Sequence, residues 1–194
     1  MLTAEKKNNV LIVSSDDKLR SFFVQILPPR EYEIPPTAKS AGEARRRLIS
    51  QQYNIVIINT PLPDETGLEL AEDLSDRSLG VLAIADIQSF DQVCHTLEDF
   101  GVLTVTKPLS RQQAYTYIKL LTAFSARLTK MEKENKSLQE KVMDIRIVDR
   151  AKWILIKNEG MTEEEAHHLI EHNAMENRES RRKAAEEIIR KYEE

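Results

Sequence analysis

The chain has 194 residues, 41% hydrophobic and 31% charged, which is enough apolar material for a buried core and a length that fits one domain plus a smaller module. MLTAEKKNNV at the start lacks the apolar run of a signal peptide, no stretch approaches the roughly 18 apolar residues of a membrane span, and the single cysteine, Cys94, excludes an internal disulfide or a Cys-rich zinc site, so a cytoplasmic protein with no membrane partner is expected. The net charge of −4 gives nucleic-acid binding no bulk support: residues 1–110 carry 11 basic and 16 acidic side chains, residues 111–142 carry 7 and 3, and residues 143–194 carry 10 and 13.

Residues 10–13 form a short apolar run between polar neighbours, and similar runs recur at 55–58, 81–85 and 102–105. Such runs predict buried parallel strands. Between them, helical spacing links Leu19, Phe22, Phe23 and Ile26, then Ala44, Leu48 and Ile49, then Leu68, Leu70, Ala71 and Leu74, and then Val93, Leu97 and Phe100. Ser40 and Glu43 make a capping box for the second of these helices. The alternation predicts an α/β domain over residues 1–110, a doubly wound, parallel five-stranded sheet with its functional groups at the C-terminal ends of the strands.

The pattern changes after Lys107-Pro108. Ser110 and Gln113 cap a new helix, and no Gly or Pro interrupts the chain from there to Lys157. Leu121, Phe124, Leu128, Met131, Asn135, Leu138, Val142 and Ile145 step alternately by three and four, the a/d seam of a coiled coil assigned to residues 111–142. The competing reading is a long helix packed on its own domain. Asn135 at an a position favours a two-stranded pair, because a buried amide is satisfied there by its twin. Arg127 can reach Glu132 of a parallel partner, whereas Lys141 and Arg146 would repel, and a parallel homodimer is favoured on balance. Gly160 ends the helix, Thr162 and Glu165 cap the next, and Ala166, Leu169, Ile170, Ala174 and Met175 give that helix an apolar stripe. A last helix turns Ala184, Ala185, Ile188 and Ile189 inward, and residues 143–194 form an all-α three-helix module.

The segment Ile58-Asn59-Thr60-Pro61-Leu62-Pro63-Asp64-Glu65-Thr66-Gly67 looks like the phosphorylation loop of response-regulator receiver domains, and the first 110 residues resemble that family throughout. The family's phosphoacceptor aspartate falls on Asn59, its acidic pair on Ser14 and Ser15, and its hydroxyl residue on Ala85, while its lysine is kept as Lys107. An amide is no nucleophile, and uncharged Ser14, Ser15 and Asn59 give Mg²⁺ little to bind, so the resemblance implies a pseudo-receiver that is not phosphorylated. Lys107 is expected to bond Asn59 or a nearby carbonyl. Asp16, Asp17, Asp64 and Asp86 near strand ends are the alternative acceptors to weigh. Any switch would then be thrown by a ligand or a partner protein.

The segment Arg146-Ile147-Val148-Asp149-Arg150-Ala151-Lys152-Trp153-Ile154-Leu155 is similar to the most recognisable stretch of ANTAR domains, and Gly160-Met161-Thr162-Glu163 to the turn that follows it. Trp153 stands where a glycine is common and His167 where an aromatic is common. The resemblance implies a dimeric antitermination module that binds tandem RNA stem-loops in mRNA leaders. Its contacts would come from Arg146, Arg150, Ala151 and Lys152, with Lys157 on the same flank, and from Arg178, Arg181, Arg182 and Lys183. Trp153 is expected in the core rather than stacked on a base. His167, His168 and His172 lack the carboxylate or thiolate company of a metal site, and no cofactor, metal or enzymatic constellation is expected. The competing function is a protein-interaction adaptor that uses the pseudo-receiver and coiled coil without RNA.

Overall fold

The computed structural model describes residues 7–33 and 37–193; residues 1–6, part of the stretch on which the absence of an export signal was read, lie outside them. The elements are β1 (Val10–Val13), α1 (Asp17–Ile26), β2 (Thr37–Ala38), α2 (Ala41–Ser50), β3 (Ile55–Asn59), α3 (Leu68–Asp73), β4 (Gly80–Ala85), α4 (Phe90–Leu97), β5 (Leu103–Thr106), α5 (Arg111–Glu159), α6 (Glu163–Glu176) and α7 (Arg181–Glu193). Two compact units divide after Glu132.

In the first unit all strands are parallel, in the order β2-β1-β3-β4-β5. Side chains alternate along each strand and so feed two cores. Leu11, Val13, Val56 and Ile58 pack with Ala44, Leu48, Leu70, Ala71, Val93 and Leu97 of α2, α3 and α4. Val10, Ile12, Ile55 and Ile57 pack with Phe23 of α1 and with Ala114, Ile118 and Leu121 of α5. The apolar side chains of β1, β3 and β4 are thus buried on both faces of the sheet, which is why these strands read as continuous apolar runs. The two-residue β2 has no such run and was not legible as a strand. Ile49, read as an inward residue of α2, is 84% exposed, because the inward positions there are Ala41, Ala44 and Leu48. Phe100, read as inward on α4, is exposed on a 3₁₀ turn after it.

The first turns of α5 complete this unit. Leu121, assigned above to the coiled-coil seam, is 3% exposed and belongs to the core shared with α1, which corrects that assignment. Gly80 is the reason the helix sits so close: a Cβ there would lie 3.0 Å from the Leu121 Cβ and 3.1 Å from its carbonyl oxygen. The Tyr32 hydroxyl, whose pKa burial pushes up, bonds the Thr122 hydroxyl at 2.9 Å, and the Ser125 hydroxyl donates to the Ser78 carbonyl at 3.3 Å. Phe124, Met131, Leu138, Val142 and Ile145 are exposed, Leu128 is half-buried and Asn135 is exposed.

In the second unit the end of α5 packs with α6 and α7. Ala151, Leu155, Ala166, Ile170, Ala174, Ala184, Ala185 and Ile188 form its core. Gly160, at φ +67, stops α5 in the left-handed conformation that a glycine adopts without penalty. Thr162 and Glu165 then make the expected reciprocal capping box, in which the Thr162 amide and then its hydroxyl hold the Glu165 carboxyl below the usual range.

Candidate functional site

The C-terminal ends of β1, β3, β4 and β5 bring Ser14, Asn59, Ala85 and Lys107 together, as the strand register requires. Ser14 is fully buried and its Oγ accepts from Asn59 Nδ2 at 3.1 Å and from the Asp16 amide at 3.0 Å. Ser15 beside it is exposed. Asn59 Oδ1 is buried with no hydrogen-bond partner. Lys107 does not bond Asn59: its Nζ donates to the Thr60 carbonyl at 3.3 Å and lies 3.3 Å from Asp86 Oδ1. Ala85 is buried and offers only its carbonyl, which accepts from the Lys107 amide at 3.0 Å.

The four aspartates near the strand ends are all engaged. Asp16 caps α1 by accepting from the Lys18 amide at 2.9 Å, and Asp17 pairs with Arg20. Asp64 Oδ1 and Oδ2 accept from the Ala41 and Gly42 amides at 2.9 Å each, so it caps α2 across the loop. Those amide bonds, Gly42 first, hold its carboxyl below the usual range. Asp86 pairs with Lys107. A hydroxyl and a neutral amide do not fit a hard dication that needs charged oxygen ligands, and among the described residues no three His, Cys, Asp or Glu side chains gather to hold a metal. His167 and His172 instead lie 3.4 and 3.7 Å from Glu171 and Glu176 on their own helix.

In the second unit several of the basic residues are paired with acids. Lys152, 17% exposed, is held by Asp149 at 2.8 Å and Glu163 at 3.1 Å, both of which raise its pKa. Arg181 pairs with Glu171 at 3.1 Å, Arg182 with Glu186 at 2.8 Å and Asp144 at 3.1 Å, and Lys183 with Glu179 at 3.2 Å. Six of the thirteen acids of residues 143–194, Asp144, Asp149, Glu163, Glu171, Glu179 and Glu186, are engaged by these side chains. Ala151, placed above among the contact residues, is 0% exposed and is a core residue, because its missing bulk lets α5 meet the other two helices. Trp153, expected in the core, is 59% exposed, and Lys157 Nζ lies 4.8 Å from its ring centroid. Arg146, Arg150 and Arg178 are exposed; Arg178 adopts φ +53 in the turn before α7.

Residues 136–189 match the ANTAR domain family. The chain carries an ANTAR domain. Its first unit has the receiver fold: a signal receiver domain of an HD domain-containing protein from Pseudomonas fluorescens Pf-5 superposes with a TM-score of 0.60 at 18% identity, over 67% of this chain and 97% of that one. A CheY-like receiver domain protein from Methanospirillum hungatei JF-1 gives 0.54 at 25% identity, over 66% and 99%. Among curated relatives, the transcriptional regulatory protein PdtaR of Mycobacterium tuberculosis is 25% identical over 181 residues, 93% of this chain and 88% of that one. The aliphatic amidase regulator of Pseudomonas aeruginosa is 29% identical over 162 residues, 84% of this chain and 74% of that one. The ANTAR domain thus stands behind a receiver fold in a chain whose relatives are regulators. No helix among the described residues is long and apolar enough to cross a membrane.

Proposed function

We propose that the protein is a cytoplasmic, non-enzymatic transcription antitermination regulator that binds tandem RNA hairpins as a dimer, with a receiver domain that is not phosphorylated. The observation that carries this reading is the ANTAR match over residues 136–189 in a chain similar along 93% of its length to a transcriptional regulator. Residues 1–110 with the first turns of α5 form the pseudo-receiver, the stretch to residue 142 the dimerising segment, and residues 143–194 the RNA-binding module.

Dimerisation is supported by the exposed apolar side chains Met131, Leu138, Val142 and Ile145, which a second helix would cover, and by Asn135 at the position where an amide pairs with its twin. Two modules held together would engage two hairpins with avidity. Control by a ligand or partner protein is supported by the pocket, where Ser14 and Asn59 bond each other and Lys107 meets the Thr60 carbonyl and Asp86. By holding a hairpin the protein prevents terminator formation, so its readout is transcription through a terminator.

In vitro transcription of a template carrying the leader of its own operon tests this. Added full-length protein raises read-through of the terminator, and treatment with acetyl phosphate leaves that gain unchanged. Unaltered termination at saturating protein contradicts the antitermination reading and shifts the function to a protein-interaction adaptor.

A further inference from the structure

The heptad that carries Leu138, Val142 and Ile145 does not stop at residue 145. The next steps of four, three and four fall on Asp149, Lys152 and Ile156, and α5 runs without interruption through all of them. Trp153 lies four residues beyond Asp149, so the indole flanks the same face. Val142, Ile145, Trp153 and Ile156 are all exposed. Ala151 and Leu155 leave the helix on a different side, where they meet α6 and α7, so this face lies outside the core of the second unit.

Four exposed large apolar side chains on one face of one helix mark an interaction surface rather than a solvated one. Their chemistry and spacing point to what covers them. A contact with nucleic acid is built mainly of cations and polar groups, whereas three aliphatic side chains and an indole suit an apolar partner. A repeat of three and four interlocks with a second helix of the same repeat. A second copy of α5 supplies that helix, paired about a two-fold axis so that the same residues meet on both sides. Asp149 and Lys152, which interrupt the apolar run, are bonded to each other at 2.8 Å and enter the contact as a pair, fixing its register at some cost in strength.

We infer that the contact between copies extends along α5 beyond the seam, through Ile145 to Trp153 and Ile156, and so joins the two ANTAR domains themselves. Lys157 Nζ stands over the indole at 4.8 Å, and the rest of the ring packs on the helix of the partner copy. The inference rests on the dimer reading and deepens it: self-association becomes a property of the RNA-binding module as well as of the segment before it.

Trp153 is the only tryptophan of the chain, so intrinsic fluorescence reads this one position. The full-length protein, without RNA, is diluted through its self-association range and followed by fluorescence and by analytical ultracentrifugation. Trp153→Ala, Trp153→Phe and Ile156→Ala are sedimented alongside, with circular dichroism to verify their helices. Emission of the wild type shifts to the red on dilution, as the indole loses its apolar cover. Trp153→Ala weakens the dimer at least about tenfold, as truncation of a central interface aromatic does, and Ile156→Ala weakens it by a smaller factor. Trp153→Phe keeps most of the affinity. A dimer whose emission is constant on dilution and whose dissociation constant is indifferent to Trp153→Ala overturns this surface and leaves the dimer reading standing. Emission that is constant on dilution and quenched by a two-hairpin RNA assigns the indole to RNA and also overturns it, and a monomer at every concentration overturns both.

Discussion

Asn59 donates its side-chain amide to the Ser14 hydroxyl at 3.1 Å, at the place where strand ends β1 and β3 would otherwise present carboxylates. Two neutral groups satisfy each other there, and Lys107 turns to the Thr60 carbonyl and Asp86 instead. At these two positions the pocket presents neutral groups in place of the carboxylates that phosphoryl transfer requires.

Incubation with acetyl phosphate and Mg²⁺ should therefore add no phosphoryl mass to the intact protein. Asn59→Asp restores a nucleophile but not the metal ligands at Ser14 and Ser15, so it too should stay unlabelled under conditions that label an ordinary receiver. Intact-mass spectrometry checks both; a labelled wild-type chain would point to Asp86, the exposed member of the pocket.

Leu121 and Leu138 look alike in the heptad but should behave differently. Leu121→Ala opens a cavity under α5 against Gly80 and should cost about 2–5 kcal/mol of the first unit's stability. Leu138→Ala removes an exposed side chain and should leave that transition within about 0.5 kcal/mol while weakening self-association. Urea denaturation and analytical ultracentrifugation separate the two effects.

Asp64 gives a pH signature. Its folded pKa is depressed below the ordinary 3.8 by the Gly42 and Ala41 amides, so its contribution is fully present above that value and is lost as the pH falls through the lower folded pKa. Asp64→Ala should therefore destabilise the protein at neutral pH and make progressively less difference in acid, as thermal unfolding measured across that range would show.

The heptad illustrates how far the sequence could be read. Ala114, Ile118, Leu121 and Ser125 dock α5 on the sheet, and they step by four, three and four just as the exposed residues from Phe124 to Ile145 do. One helix carries two stripes with the same period, and spacing alone could not assign Leu121 to the docking one. The strands and the neutral side chains at Ser14 and Asn59 were legible because buried runs and motif spacing are local. The fate of the cations was not: Lys152 meets Glu163 and Arg182 meets Asp144 only after three helices pack. Trp153 misled for a related reason, since an aromatic on an amphipathic helix is more often inward.

Lys152→Ala should act first on structure. It removes ties to Asp149 and to Glu163 at the start of α6, worth roughly 1 kcal/mol or less between them, and should lower the melting temperature of the second unit slightly. Lys152→Arg should recover part of it. A loss of RNA binding by Lys152→Ala with unchanged melting would assign this side chain a direct contact.

The central claim is RNA binding by a chain of net charge −4, and the measurement closest to it is the affinity of the full-length protein for a two-hairpin RNA from its own leader as a function of salt. The account predicts binding at low ionic strength whose logarithm falls linearly and steeply with the logarithm of salt concentration, as counterions leave the phosphates. No binding at low salt, or an affinity indifferent to salt, would contradict it.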